Sequence, residues 1–239
     1  MMCFLLRIVL IATAVFCLSI AIATIPATTA GPFNRMVAAQ ANRAANKCPD
    51  EQNGGPGRSL FDMSAQAFFA LERTEKPVDP TDIDSCRLSA ALYHEVNQRR
   101  LLNGKSRLEH DPRLDEAALM HARSMAQNNY LSHTNPIEPQ RRTPLQRVRQ
   151  TGLDPRMLAE NIGNHFSIQY EEGTRIYPVR KDGEQGFATR PGGPLIPEHT
   201  YRSFAGAMLD QWMDSPGHRK NILAEAPEFS GAGGAAGQS

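Results

Sequence analysis

Apolar positions recurring at helical spacing mark much of this chain. Leu88, Leu92 and Val96, joined by Ala91, form the inner stripe of a helix that begins at Ser85 or Cys86. Arg99 and Arg100 lie in its last turn, where positive charge suits the helix dipole, and Asn103-Gly104 makes a turn. A second helix starts at Asp111 as N-cap with Pro112 in the first helical position. Its stripe of Leu114, Ala117, Ala118, His121, Ala122, Met125 and Ala126 is rich in small residues, which predicts close packing. Pro144–Gly152 reads as a short helix with Leu145 and Val148 inward and Gly152 closing it. Met208, Leu209, Trp212 and Met213 give one apolar face of another helix. Ser215-Pro216-Gly217 is then expected to break it and present His218 on a turn at the helix exit.

The flanking regions have other patterns. Ser59–Arg73 carries Leu60, Met63, Ala67, Phe68 and Leu71 at helical spacing, which predicts one extra N-terminal helix capped by Ser59. Gly31–Arg58 reads as a flexible spacer and Glu75–Asp84 as a linker. His165–His199 is rich in Gly and Pro. Its Ile176-Tyr177-Pro178-Val179 beside Lys181-Asp182-Gly183-Glu184 predicts a β-hairpin tip. Glu225–Ser239 turns Gly/Ala-rich after Phe229 and shows no apolar alternation, so no strand is expected there. The chain contains no internal repeats.

Met1–Ala30 has the pattern of a targeting segment. Arg7 is its lone charge, and Ile8–Ile25 is apolar apart from Thr, Ser and one Cys. Ala21-Ile22-Ala23 and Thr28-Thr29-Ala30 each fit a small-x-small cleavage site. Cleavage is the first reading. An uncleaved anchor is the second, since about 18 apolar residues can span a bilayer. A lipoprotein reading fails because Phe16, not a small residue, precedes Cys17.

Charge narrows the partners. Of 26 basic residues only Arg7 falls in the first thirty, so 25 basic face 25 acidic residues in the remainder. That balance excludes a nucleic-acid partner and a polybasic membrane patch. Any membrane contact runs through the N-terminal segment. Of four cysteines, Cys48 and Cys86 lie beyond that segment, an even count for an oxidising compartment. A bridge between them would tie the extension (31–85) to the first domain helix, worth roughly 4 kcal/mol in the chain-entropy model. The other reading is two unpaired thiols.

Three stretches carry the chemistry: Tyr130-Leu131-Ser132-His133-Thr134-Asn135-Pro136, Ala159-Glu160-Asn161-Ile162-Gly163, and Met208–Leu223 with Trp212 and His218. In that order they resemble the CAP superfamily, also called the SCP-like domain, and most of all its bacterial branch. The resemblance spans about residues 86–229. It implies an α+β fold, the α-β-α sandwich, over a domain running from residue 86 to 239. It also implies a short connection where this chain has its 165–199 insertion, and two final strands. The C-terminal one of these is not legible here.

The family lines a shared groove with two His and two acidic residues. His133, Glu160 and His218 occupy three of those positions. The fourth falls at Ser215, three residues after Trp212, and Asp214 is the nearest carboxylate. Ser132, Asn161 and Trp212 are supporting residues. Such a set can hold a divalent metal such as zinc, act as general acid and base, or brace the cleft as a satisfied polar network. Taken singly, each has a plainer reading: loop or cap for His133 and His218, turn cap for Glu160 and Asn161, core for Trp212. His121 reads as packed, and Arg219 and Lys220 as a solvated face.

Enzyme signatures such as HExxH, G-x-S-x-G and the P-loop are absent, and Ser132 is the one serine to nominate as a nucleophile. Family members bind sterols and lipids. Three functions therefore stand at this level. The first is a secreted or envelope-anchored binding module for a metal or a small apolar or envelope-derived ligand. The second is a metal- or His-assisted hydrolase of peptide or cell-wall material. The third is a truncated, inactive member.

Overall fold

The computed structural model describes residues 15–24, 59–181 and 183–237 of the 239-residue chain. The expected spacer 31–58 lies outside the described residues, as does Cys48. The fold is an α-β-α sandwich. A four-stranded mixed sheet has the order β2-β6-β1-β3, with β1 Val15–Thr24, β2 Glu109–His110, β3 Met157–Phe166 and β6 Phe229–Gly237. β1 runs antiparallel to both neighbours, pairing Ala21 with Glu160 on one side and with Gly231 on the other. β3 is an edge strand whose one partner among the described residues is β1.

Residues 15–24 of the expected targeting segment thus form the middle of the sheet. Their apolar, partly β-branched composition suits a strand covered on both faces. Ile20 and Ile22 are buried against one helical layer, and Ala21 and Ala23 against the other. Among the described residues no helix is long and apolar enough to cross a membrane.

The helices follow from local sequence. α1 (Ala65–Phe69) is short. α2 (Ser85–Leu102) is capped by the Asp84 carboxylate on the Arg87 N–H, and α3 (Pro112–Asn128) by Asp111 on the Arg113 N–H. α4 (Pro144–Gln150) opens on a Thr143–Gln146 capping box. α5 (Tyr201–Asp214) ends at Ser215, and α6 (Pro216–Ile222) follows at once. α3 and α4 cover one face of the sheet; α2, α5 and α6 cover the other.

Three expectations need correction. Ser59–Arg73 is not one helix. It holds a 3₁₀ turn at Leu60–Asp62 and then α1, because Ser59 and Ser64 each cap a separate turn. The extension still packs on the domain, burying Leu60, Phe61, Phe68 and Phe69. The Gly/Ala-rich C-terminus does form a strand, β6. Its glycines let α3 approach, since a Cβ on Gly231 would stand 2.3 Å from the Asp115 nitrogen, and one on Gly233 2.3 Å from that of Leu119. Finally, Pro216 and Gly217 do not make an open turn. Pro216 starts α6, where its fixed φ and missing N–H fit a first helical position.

The predicted hairpin is present as β4 (Tyr177–Lys181) and β5 (Glu184–Ala188), closing from Lys181 to Glu184.

Candidate functional site

His133 and Glu160 meet across the sheet edge. Glu160 sits on β3 and His133 on the loop after α3. The His133 Nδ1–H donates to Glu160 Oε1 at 2.8 Å. The Glu160 side chain is 5% exposed, and that of His133 50%. With Nδ1 committed, the Nε2 of His133 is the free nitrogen.

The residue that sequence reasoning missed is Arg147. Its side chain is 1% exposed, and its Nη2 donates to both carboxylate oxygens of Glu160, at 2.9 and 2.7 Å. The same nitrogen donates to the His133 carbonyl at 3.1 Å, and Nη1 to the carbonyls of Arg141 and Arg142. Arg147 is one turn into α4, between the expected inward residues Leu145 and Val148. Nothing but its i+2 and i−1 spacing from those residues marked it among the neighbouring arginines. Burial works against the Glu160 anion, but the His133 hydrogen bond and the Arg147 guanidinium outweigh it and hold this carboxyl below its ordinary value.

The remaining candidates fall into place around this pair. His121 is buried and donates from Nε2 to the Ser132 carbonyl at 2.8 Å, so it braces the His133 loop from beneath. Burial, and then the Arg147 charge, hold its imidazole below the ordinary value. The Ser132 hydroxyl accepts from the Thr134 N–H, which makes it a turn residue. Asn161 is buried on the opposite face of β3 from Glu160. It donates to the His218 carbonyl and accepts from Asn221, so it fixes the backbone of α6. Trp212 is core, with its Nε1–H on the Ile162 carbonyl at 3.1 Å. His218 is half-buried, with its ring 6.5 Å from that of Trp212. Burial, and then the charge of His133, lower its pKa. Asp214 is the exposed last residue of α5 and lines a different cavity from His133 and Glu160. Ser215 joins α5 to α6 without a side-chain cap.

A cavity of about 390 Å³ opens beside the pair. His133 and Glu160 stand at its polar end, and Pro144, Leu145, Pro155 and Leu158 supply apolar walls. A divalent ion would need carboxylate oxygens and imidazole nitrogens aimed at one centre. Here Arg147 takes both Glu160 oxygens, and the nearest His133 nitrogen donates to one of them. Among the described residues no three His, Cys, Asp or Glu side chains converge in that way. The donor set as placed does not fit a metal. It fits a Glu-oriented imidazole next to an apolar hollow.

The family model described as CAP, cysteine-rich secretory protein family, matches residues 93–237, more than half of the chain. Two solved structures are similar to it. One is an extracellular protein containing an SCP domain from Bacillus anthracis str. Ames, at 18% identity and a TM-score of 0.37, covering 68% of this chain and 45% of that one. The other is an outer surface protein from Borrelia burgdorferi, at 13% identity and a TM-score of 0.33, covering 62% of this chain and 90% of that one. The chain thus spans less than half the length of the Bacillus protein. No curated protein matches it.

Proposed function

The chain belongs to the cysteine-rich secretory protein (CAP) family, and from that premise we propose that it is an extracytoplasmic binding module. Its groove beside His133 and Glu160 takes a small apolar ligand with a polar end. One observation carries this reading. Arg147 already neutralises Glu160 inside the protein, so this buried carboxylate leaves no charge of its own to match, and Pro144, Leu145, Pro155 and Leu158 supply apolar walls, with Thr143 and the exposed Arg156 completing the lining. The His133 Nε2 supplies a hydrogen bond at that end. In the same reading Cys86 pairs with Cys48 and fastens the extension to α2.

Dehydroergosterol, a fluorescent sterol with a single hydroxyl, is a suitable probe. Saturable quenching by the full chain, lost in Leu158→Lys, is the expected result. No saturable quenching by cooperatively folded protein would overturn the reading.

A second reading rests on the Glu160–His133 pair itself. A carboxylate holding one imidazole nitrogen leaves the other as a base, the arrangement used in hydrolases. Turnover of a peptide or cell-wall substrate, abolished in His133→Ala, would favour it over capture. Zinc calorimetry on the full chain beside a His133→Ala, His218→Ala variant separates out the metal reading. One equivalent bound by the wild type and not by the variant would mean that Glu160 leaves Arg147 for an ion.

A further inference from the structure

The 165–199 insertion does more than carry a hairpin. Its incoming arm is pinned to its outgoing one by the Gln169 N–H on the Pro197 carbonyl at 2.8 Å and by a bridge between Ile168 and Glu198. The arm folds beside the end of β3 and the last turn of α5. It closes a second cavity of about 430 Å³, which shares no lining residue with the first. Phe166 and Tyr170 meet there edge to face, 5.0 Å apart at 88°, and supply aromatic surface.

Around the rings stand donors and acceptors. His165 Nδ1 accepts the Phe166 N–H at 2.9 Å, which places the ring proton on Nε2 as a donor. Burial keeps that imidazole below its ordinary value, on the neutral side. Asn164 and Gln211 contribute amides. Glu172 and Asp214 contribute carboxylates that have no ion-pair partner among the described residues. Among the described residues no lysine or arginine lines the cavity.

We propose that this cavity is a second binding site, and that its ligand is a neutral or amino sugar unit of a glycan. A pyranose offers an apolar C–H face to an aromatic ring and a rim of hydroxyls that both donate and accept. The amides, the Nε2–H and the carboxylates match that rim, and a hydrogen bond from a hydroxyl to a carboxylate is charge-assisted. Two carboxylates without a cation repel an acidic sugar and favour a neutral or ammonium-bearing one. The volume lies in the range of small-ligand sites.

Calorimetry of the full chain with three trisaccharides tests this: N-acetylglucosamine, glucosamine and galacturonic acid trimers. Saturable binding of either of the first two, at least tenfold tighter than galacturonate, is expected. Tyr170→Ala should weaken binding at least tenfold. Asp214→Asn, an exposed change, should weaken the glucosamine trimer at least threefold. Leu158→Lys in the first cavity should change nothing here. The proposal is overturned if the cooperatively folded wild type binds neither sugar. It is also overturned if binding survives both Tyr170→Ala and Asp214→Asn, or if tetramethylammonium binds and no sugar does. Failure of the sterol assay with success here would leave this site standing alone.

Discussion

The two cavities lie along the same strand and treat their carboxylates in opposite ways. At the first, Glu160 on β3 is enclosed, with Arg147 from α4 bound to both oxygens and His133 to one. At the second, near the other end of β3, Glu172 and Asp214 are exposed and have no ion-pair partner among the described residues. The difference separates charge used for architecture from charge left in contact with solvent. A buried anion must be compensated by the protein itself; an exposed one is solvated by water and stays available. The first cavity is thereby walled mostly by apolar side chains, and the insertion makes the polar one.

Both cavities depend on β3, and β3 pairs with β1, so the largest effect comes from removing β1. Deleting residues 1–30 strips ten registered partners from β3 and nine from β6. It also bares the core faces that meet Ile20 and Ile22. The expected outcome in chemical denaturation is loss of the cooperative transition, since a whole domain is worth only about 5–15 kcal/mol. An unchanged midpoint for residues 31–239 would show that the sheet stands without β1. A cleaved leader and the strand role of Val15–Thr24 make opposite demands, since cleavage removes the strand, whereas the strand and an uncleaved anchor both keep Met1–Ala30. The intact mass of the exported protein reads out which one holds.

Next in size is Arg147→Met. It leaves Glu160 buried with no cation and should cost about 3–5 kcal/mol. Combining it with Glu160→Leu should recover most of that loss. If Arg147→Met unfolds at the wild-type midpoint, the contrast between the cavities fails at its first member.

Acid should act in two separate windows. His94, buried among Phe68, Phe69 and Tyr93, and His199, behind the insertion cavity, are both held down to about 4 from 6.5, with burial as the leading cause. Each is neutral in the folded protein but protonated when unfolded between those values. Stability therefore falls as pH drops from 6.5 toward 4, by up to about 3 kcal/mol each. Glu160 has a lowered value instead. Its contribution is intact above the ordinary carboxylate range and is lost only as pH falls through that lowered value. Denaturation midpoints at pH 7, 5 and 3 separate the two, and His199→Asn should flatten part of the upper window. A midpoint that does not move between pH 7 and 5 would contradict the buried neutral histidines.

The smallest expected effect is the sharpest test of the contrast. Asp214→Asn should change stability by no more than about 0.5 kcal/mol, because an exposed, unpaired carboxylate contributes little to the fold. A large loss would mean that Asp214 is structural after all.

Much was legible in the sequence because it was local. Asp111 caps the helix that Pro112 opens, and the stripe of Leu88, Leu92 and Val96 is buried as its spacing requires. The motifs around His133, Glu160 and Trp212 identified the family, and of the three groove residues they named, His133, Glu160 and His218, the first two meet in a hydrogen bond. Some of the chemistry shifted only slightly, as where Pro216 began a helix instead of ending one.

Tertiary structure decided the rest. β6 is a strand of Gly and Ala whose own side chains carry no alternation; the close approach of α3 to Gly231 and Gly233 sets its place. Arg147 looks like any surface arginine until β3 brings Glu160 within 2.7 Å. The apolar run near the N-terminus has the composition of a leader and of a central strand alike, and the two free sheet edges that flank it make it a strand here. In each case the deciding energy comes from partners distant in sequence, which local periodicity and capping chemistry do not record.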